Sequence, residues 1–206
     1  PAKFLAPRDD EAGGTWLGLT PAGLFVAVTN RFGVERDPRR RSRGALVVEA
    51  LTAPDAKTLH QRLSSLDPPQ YNAFHLLYAD RREAFVTWSN GTTRTQQVLE
   101  PGVHIVTERS LGGDDRARTE LIRRLYAKLD APPTRESLVE LLSQHDEQNP
   151  VGATCVHVPS FGYGTRSSFI LRMAETWEQS DAAWTEGSPC RNPVVDGAEA
   201  LRVLTA

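Results

Sequence analysis

The sequence predicts an α+β fold in which two mainly antiparallel sheets are covered by helices on their outer sides. Strand and helix periodicities are segregated rather than alternating, in the order strands, two helices, several strands, two helices, strands, which argues against a parallel sheet built from repeated crossovers. Short β-favouring runs are joined by tight-turn dipeptides such as Asn90-Gly91, the chemistry of hairpins. A chain of 206 residues that is 39% hydrophobic and 24% charged can bury one core and is unlike disordered sequences, so residues 1–206 are expected to form a single domain.

The elements follow in order. Thr15 to Leu19 and Leu24 to Thr29 read as a hairpin across Thr20-Pro21-Ala22-Gly23, where Pro and Gly supply turn geometry. The second run is apolar at nearly every position, so both its faces are expected to be covered. Arg43 to Leu51 and Ala56 to Leu66 carry apolar residues at helical spacing, and Asp67-Pro68-Pro69 ends the second helix because proline lacks the amide proton a helix needs. Phe74 to Tyr78, Glu83 to Ser89 and Thr93 to Leu99 form a meander, with a further short strand at His104 to Thr107. Helices are expected over Asp114 to Leu129 and from Thr134, as cap, to Gln144. Ala153 to Val158 and Ser168 to Met173 then flank a Gly-rich turn as strands, and Thr176 to Thr185 pairs with them.

A balance of 24 Lys+Arg against 26 Asp+Glu, net −2, gives no global attraction for nucleic acid or an anionic membrane. No stretch of about 18 apolar residues is present, so no membrane span is expected. The run from Arg36 to Arg43 holds five arginines around Asp37 and Pro38; such a run is a solvated loop or, alternatively, a site of anion capture. Two cysteines, Cys155 and Cys190, are too few for a disulfide framework and point to a reducing, cytoplasmic setting. No Cys or His pair has metal-ligand spacing along the chain, so neither a metal nor a cofactor is expected. Cys155 and His157 do share one face of a strand pattern; a packed core cysteine is the plain reading and a thiol-imidazole or metal pair the other. Gly162-Tyr163-Gly164 reads as a tight turn and not a nucleotide fingerprint.

Five segments in register carry a more specific signal. They are Gly13-Gly14-Thr15-Trp16-Leu17-Gly18 with Gly23-Leu24 and Thr29-Asn30-Arg31; Ser42-Arg43-Gly44; Tyr71-Asn72-Ala73-Phe74; Tyr163-Gly164-Thr165-Arg166-Ser167-Ser168; and Glu186-Gly187-Ser188-Pro189-Cys190. Together they resemble the NRDE family, that of transport and Golgi organisation protein 2-like proteins. The resemblance implies a four-layer αββα sandwich similar to the N-terminal-nucleophile hydrolases. In the cysteine type of those enzymes a first-residue thiol attacks an amide while its own α-amine acts as base and amide donors hold the oxyanion.

The family begins with Met-Cys and the Asn-Arg-Asp-Glu tetrad, whereas this chain opens on Pro1; an N-terminal segment, strand and nucleophile included, is therefore expected to be missing, and no catalytic residue is assigned. That strand would be supplied by the absent segment or by a second copy. Where relatives carry an Asn similar to an oxyanion donor, Glu108 stands, and a carboxylate offers lone pairs where a donor is wanted. The resemblance thus implies a pocket lined by Asn30, Arg31, Arg166, Trp16 and Glu108 that binds a small amphipathic ligand of the haem or acyl thioester class. The alternative is a cysteine-type amide hydrolase whose nucleophile lies on the missing segment. Asn30 and Arg166 also have plain readings, as a turn cap and as a structural guanidinium on backbone carbonyls. Because the family is linked to haem movement, His75 and His104 are candidates for an axial imidazole.

Overall fold

Gly23 adopts φ +93°, a left-handed backbone conformation open to glycine at little cost, and this reverses the chain between β1 (Leu17–Leu19) and β2 (Phe25–Asn30). The two strands pair antiparallel, with Leu19 opposite Phe25. The computed structural model describes residues 3–11, 13–111 and 116–205. Its described residues fall into two compact units, Pro1–Asp114 with Val203–Ala206, and Asp115–Arg202.

In the first unit β3 (Phe74–Ala79), β4 (Ala84–Ser89) and β5 (Arg94–Val98) extend the hairpin into a five-stranded antiparallel sheet of order β1-β2-β3-β4-β5. Leu5 pairs with Leu19 on the outer side of β1. Helices α1 (Arg43–Ala50) and α2 (Ala56–Leu63) begin where the sequence placed them, because Ser42 and Asp55 accept the first-turn amides of Gly44 and Thr58 at 3.1 and 2.6 Å. Their apolar stripes, Leu46, Val47 and Ala50 on α1 and Leu59 and Leu63 on α2, join Leu24, Val26, Phe74, Leu76, Tyr78 and Phe85 in one core. Burial of a single Leu or Phe side chain there contributes about 1.5–3 kcal/mol. The opposite face of the sheet is also apolar: Val86 is buried and Phe25, Ala27, Leu77 and Trp88 are half-buried. β5 carries Thr95, Gln97 and Val98 exposed, a polar edge that discourages further strand pairing.

Two of the three histidines in this unit are packed into it. His60 stacks on Phe85 with ring centroids 4.3 Å apart and meets the Tyr78 hydroxyl at 2.7 Å, which in turn bonds Thr87 Oγ1 at 2.8 Å. His75 is only 1% exposed. Its Nε2 lies 2.8 Å from the Ser110 carbonyl, while Nδ1 is buried with no hydrogen-bond partner. A carbonyl can only accept, so Nε2 carries a proton.

The second unit begins with α3 (Arg116–Tyr126) and α4 (Arg135–Leu142). Thr134 caps α4 by accepting from the Ser137 amide at 3.2 Å. β6 (His157–Val158) and β7 (Tyr163–Gly164) form a two-stranded ribbon, and β8 (Ser167–Arg172), β9 (Asp181–Glu186) and β10 (Val194–Asp196) form an antiparallel sheet of order β10-β9-β8. A last helix, α5 (Ala198–Arg202), follows directly. Arg135 at the start of α4 pairs with Asp181 and Asp196, tying the helix to β9 and β10. Among the described residues no helix is long and apolar enough to cross a membrane.

The α+β class, the antiparallel pairing and the order of elements match the expectation; several boundaries do not. His104 to Thr107 is not a strand, because the Thr107 amide donates to Ser110 Oγ at 2.8 Å and the Arg109 amide to Thr107 Oγ1 at 3.2 Å, a local turn that outcompetes a ladder. The strand expected from Ala153 shrinks to His157–Val158, since the Cys155 amide bonds the Gln144 carbonyl at 2.9 Å and Thr154 Oγ1 bonds that of Leu141 at 2.6 Å. β9 starts at Asp181 and not Thr176, because a turn closed by Ser180 precedes it. β10 and α5 were not anticipated, each being too short to show a periodicity. The expected start of α3 at Asp114 lies outside the described residues.

The arginine run has a structural explanation. Arg40 Nη1 donates to the carbonyls of Tyr71 at 2.9 Å and Gly91 at 3.0 Å, and Arg43 Nη1 to that of Ala73 at 3.1 Å. Arg41 pairs with Glu49, and Arg39 lies on the surface against Asp37 at 2.9 Å. Arg40→Ala is expected to lower unfolding free energy by about 1–3 kcal/mol, because two carbonyls lose their donor, and Arg39→Ala, which removes an exposed charge, far less. Paired urea titrations check the contrast, and equal effects would contradict the assignment.

Burial pushes the pKa of His75, and that of His60, below the ordinary value of 6.5. The unfolded chain therefore binds protons that the folded one refuses, and stability is lost as pH falls below about 6.5. Melting temperature is expected to drop between pH 7.5 and 5.5. His75→Gln should flatten the dependence, a single proton contributing at most roughly 1.4 kcal/mol per pH unit; an unchanged slope would exclude His75 as a source.

Candidate functional site

One end of the five-stranded sheet collects most of the distinctive sequence. The Arg31 amide donates to the Ala73 carbonyl at 3.2 Å and the Arg41 amide to that of Gln70 at 2.9 Å. Asn72 closes a two-way bond with Asp37, its Oδ1 accepting from the Asp37 amide at 2.8 Å and its Nδ2 donating to the Asp37 carbonyl at 2.9 Å. Gly14 and Gly44 lie backbone to backbone: a Cβ on Gly14 would stand 2.6 Å from the Gly44 carbonyl carbon. Three of the five motif segments are thus fastened at one point, where β2 ends and β3 begins.

Over that end folds the loop from residue 104 to 111. The Phe32 amide donates to the Glu108 carbonyl at 2.7 Å, Arg31 Nη2 to the Leu111 carbonyl at 3.0 Å, and His75 Nε2 to that of Ser110. Arg109 stacks its guanidinium over the Phe32 ring, 3.5 Å from the centroid, with its Nε 3.8 Å from Glu108 Oε1. Of the five residues expected to line a pocket, Asn30 is the exposed last residue of β2, and Arg31 and Glu108 are half-buried beside it. Trp16 is at the same end, its carbonyl accepting from the Val28 amide at 2.8 Å, and its side chain is 44% exposed. Arg166 lies in the second unit, exposed in the turn between β7 and β8.

The arrangement puts cations beside solvent-exposed apolar surface. Phe32 is 59% and Val34 43% exposed, large side chains that folding ordinarily buries. His75, raised as an axial ligand, has its Nε2 committed to Ser110 and is closed to solvent. His104 is exposed and held by the Glu100 carbonyl at 2.6 Å.

A second constellation lies wholly within the second unit. Cys155 Sγ is 3.4 Å from His157 Nε2 and 3.5 Å from Cys190 Sγ, and His157 Nε2 is 3.2 Å from Cys190 Sγ. His145 adds a ring 5.0 Å from that of His157, so that one donor atom from each of the four residues lies within 4.8 Å of every other. Both cysteines are free thiols. Burial raises the pKa of Cys155, and burial, Arg191 and His145 lower that of His157.

Sequence spacing did not reveal this group because its members come from three segments: the turn after α4, the chain entering β6 together with its first residue, and the loop between β9 and β10. The pair Cys155 and His157 was visible, and Cys190 closes a quoted motif; that the chain has only two cysteines was the one signal that they meet. Phe32 and Arg109 were also missed, since an exposed aromatic under a guanidinium leaves no periodic trace.

Comparison with known proteins agrees with these motifs. The family model described as Transport and Golgi organisation 2 matches residues 1–181. The human Transport and Golgi organization protein 2 homolog is 27% identical, the match covering 81% of this chain and 70% of that protein; the homolog from Bos taurus is 25% identical with the same coverage. A Mus musculus homolog is 30% identical across 48% of this chain and 38% of its own length. The glycines, arginines and asparagine that fasten the sheet end all fall inside the matched span, and the chain belongs to the Transport and Golgi organisation 2 family.

Proposed function

We propose that the chain binds a small amphipathic ligand carrying a carboxylate or phosphate, of the haem or acyl thioester class, at the end of the five-stranded sheet. The observation that carries this reading is the Arg109 guanidinium stacked over the exposed Phe32 ring beside Arg31. Exposed apolar surface next to fixed cations suits a molecule that is apolar at one end and anionic at the other. Trp16 at the same end offers a further apolar face. The apolar second face of the sheet supports the four-layer αββα reading, since the inner face of a sandwich needs such residues.

Glu108 supports carriage over amide hydrolysis. Its carboxylate faces Arg109, and a developing oxyanion is stabilised by donors, not by a second anion. Hemin and a long-chain acyl thioester are each expected to quench tryptophan fluorescence saturably, with a negative heat-capacity change from apolar burial. Arg109→Glu should weaken binding about ten-fold or more through lost attraction and lost cover on Phe32. Failure of both ligands to bind, or thiol-dependent turnover of acyl amides by the chain, would overturn the reading.

A further inference from the structure

The four donors in the second unit have the composition of a metal site, and three of them its spacing. Both cysteines of the chain and two of its five histidines converge, although neither the two Cys nor the two His are sequence neighbours. A tetrahedral zinc ion with bonds of about 2.0–2.3 Å would hold its ligand atoms roughly 3.3–3.8 Å apart. The three separations among Cys155, His157 and Cys190 are 3.2, 3.4 and 3.5 Å, slightly contracted from that size, while His145 offers its donor atom within 4.8 Å of the others and closes in to complete the tetrahedron when the ion binds. A disulfide would need the two sulfurs about 1.5 Å closer.

The cage is built by bonds that do not depend on an ion. The Cys155 amide and Thr154 hydroxyl hold the residues preceding His145, through the carbonyls of Gln144 and Leu141. The Val156 amide donates to Thr165 Oγ1 at 2.9 Å, and the Thr165 carbonyl accepts from Ser188 Oγ at 2.9 Å. Ser188 in turn takes the amides of Arg191 and Asn192 at 3.0 and 3.1 Å, closing the turn that presents Cys190. Gly187, at φ +118°, admits this turn with the Asn192 amide group against it. Cys155 is buried, Cys190 and His157 half-buried, and His145 exposed, so the site has a dry floor and an open rim through which an ion enters.

We propose that His145, Cys155, His157 and Cys190 bind one divalent transition-metal ion, zinc by preference, in a closed tetrahedral site that cross-links three segments of the second unit. Two thiolates and two imidazoles suit zinc over magnesium or calcium, which take oxygen. Binding releases the two thiol protons to solvent and involves no change of oxidation state. With four protein ligands no position is left for a substrate, so the role is structural. This inference is independent of the ligand reading in the first unit.

The full chain, reduced and stripped with EDTA, is titrated anaerobically with cobalt(II) alone and then with zinc. One equivalent of cobalt should give tetrahedral d–d bands and a thiolate charge-transfer band, both erased by zinc, and zinc should raise the melting temperature. His145→Ala, at an exposed position that should leave folding intact by circular dichroism, is expected to weaken zinc binding about ten-fold or more; Cys190→Ser should diminish the charge-transfer band. Absence of stoichiometric binding while both thiols react freely with a thiol reagent overturns the proposal. So does a Cys155–Cys190 disulfide that forms in air equally fast with and without equimolar zinc.

Discussion

The first unit rests on satisfying the carbonyls of one buried segment, Tyr71 to Ala73, with Tyr71 wholly buried. A buried carbonyl without a donor costs about 1–3 kcal/mol, and two such groups are a large part of the net stability of a domain. The chain answers with Arg40 on Tyr71, and Arg43 with the Arg31 amide on Ala73. Asn72 adds its two-way bond to Asp37. Because these donors come from the end of β2 and from the loop before α1, satisfying one segment fixes where the sheet end, the loop and the helix meet.

This changes what the family motifs mean. Asn72, Arg43 and the glycine pair Gly14 and Gly44 are the residue types one would assign to a binding site, yet each is consumed in holding backbone to backbone. The close approach of Gly14 to Gly44 excludes any side chain, so these positions are glycine for steric reasons. The groups left facing outward at the same end are Trp16, Phe32 and the cations beside them. A rigid fastening beneath an exposed ledge is the usual division of labour between scaffold and site.

Much of the fold was legible because local signals agreed. The hairpin at Thr20-Pro21-Ala22-Gly23, the cap Thr134, and the meander through Asn90-Gly91 each combine a turn or cap residue with matching periodicity. The failures have one physical character: at His104 to Thr107 and Ala153 to Thr154, β-favouring residues lie beside Ser or Thr hydroxyls that redirect the backbone. Propensity reads such a stretch as strand, while the hydroxyl decides. Of the expected pocket, Asn30, Arg31, Glu108 and Trp16 do gather at one sheet end. Arg166 belongs to the other unit, and the residues that give the ledge its character, Phe32 and Arg109, were legible only in three dimensions.

Glu108 is where magnitudes separate the two functional readings. An ionised carboxylate about 4 Å from a developing oxyanion is repelled by roughly 1 kcal/mol in water and about 4 kcal/mol at the effective dielectric of a protein surface. In a hydrolase, where donors stabilise the oxyanion, that would be a rate penalty between about five-fold and a thousand-fold. Arg109 at 3.8 Å offsets part of the charge, but a neutralised carboxylate is still not a donor. In the proposed carrier the same carboxylate opposes an anionic ligand group as it would an oxyanion, but its pairing holds the Arg109 guanidinium over Phe32, and ordering that side chain in advance removes about 0.5–1.5 kcal/mol from the cost of binding.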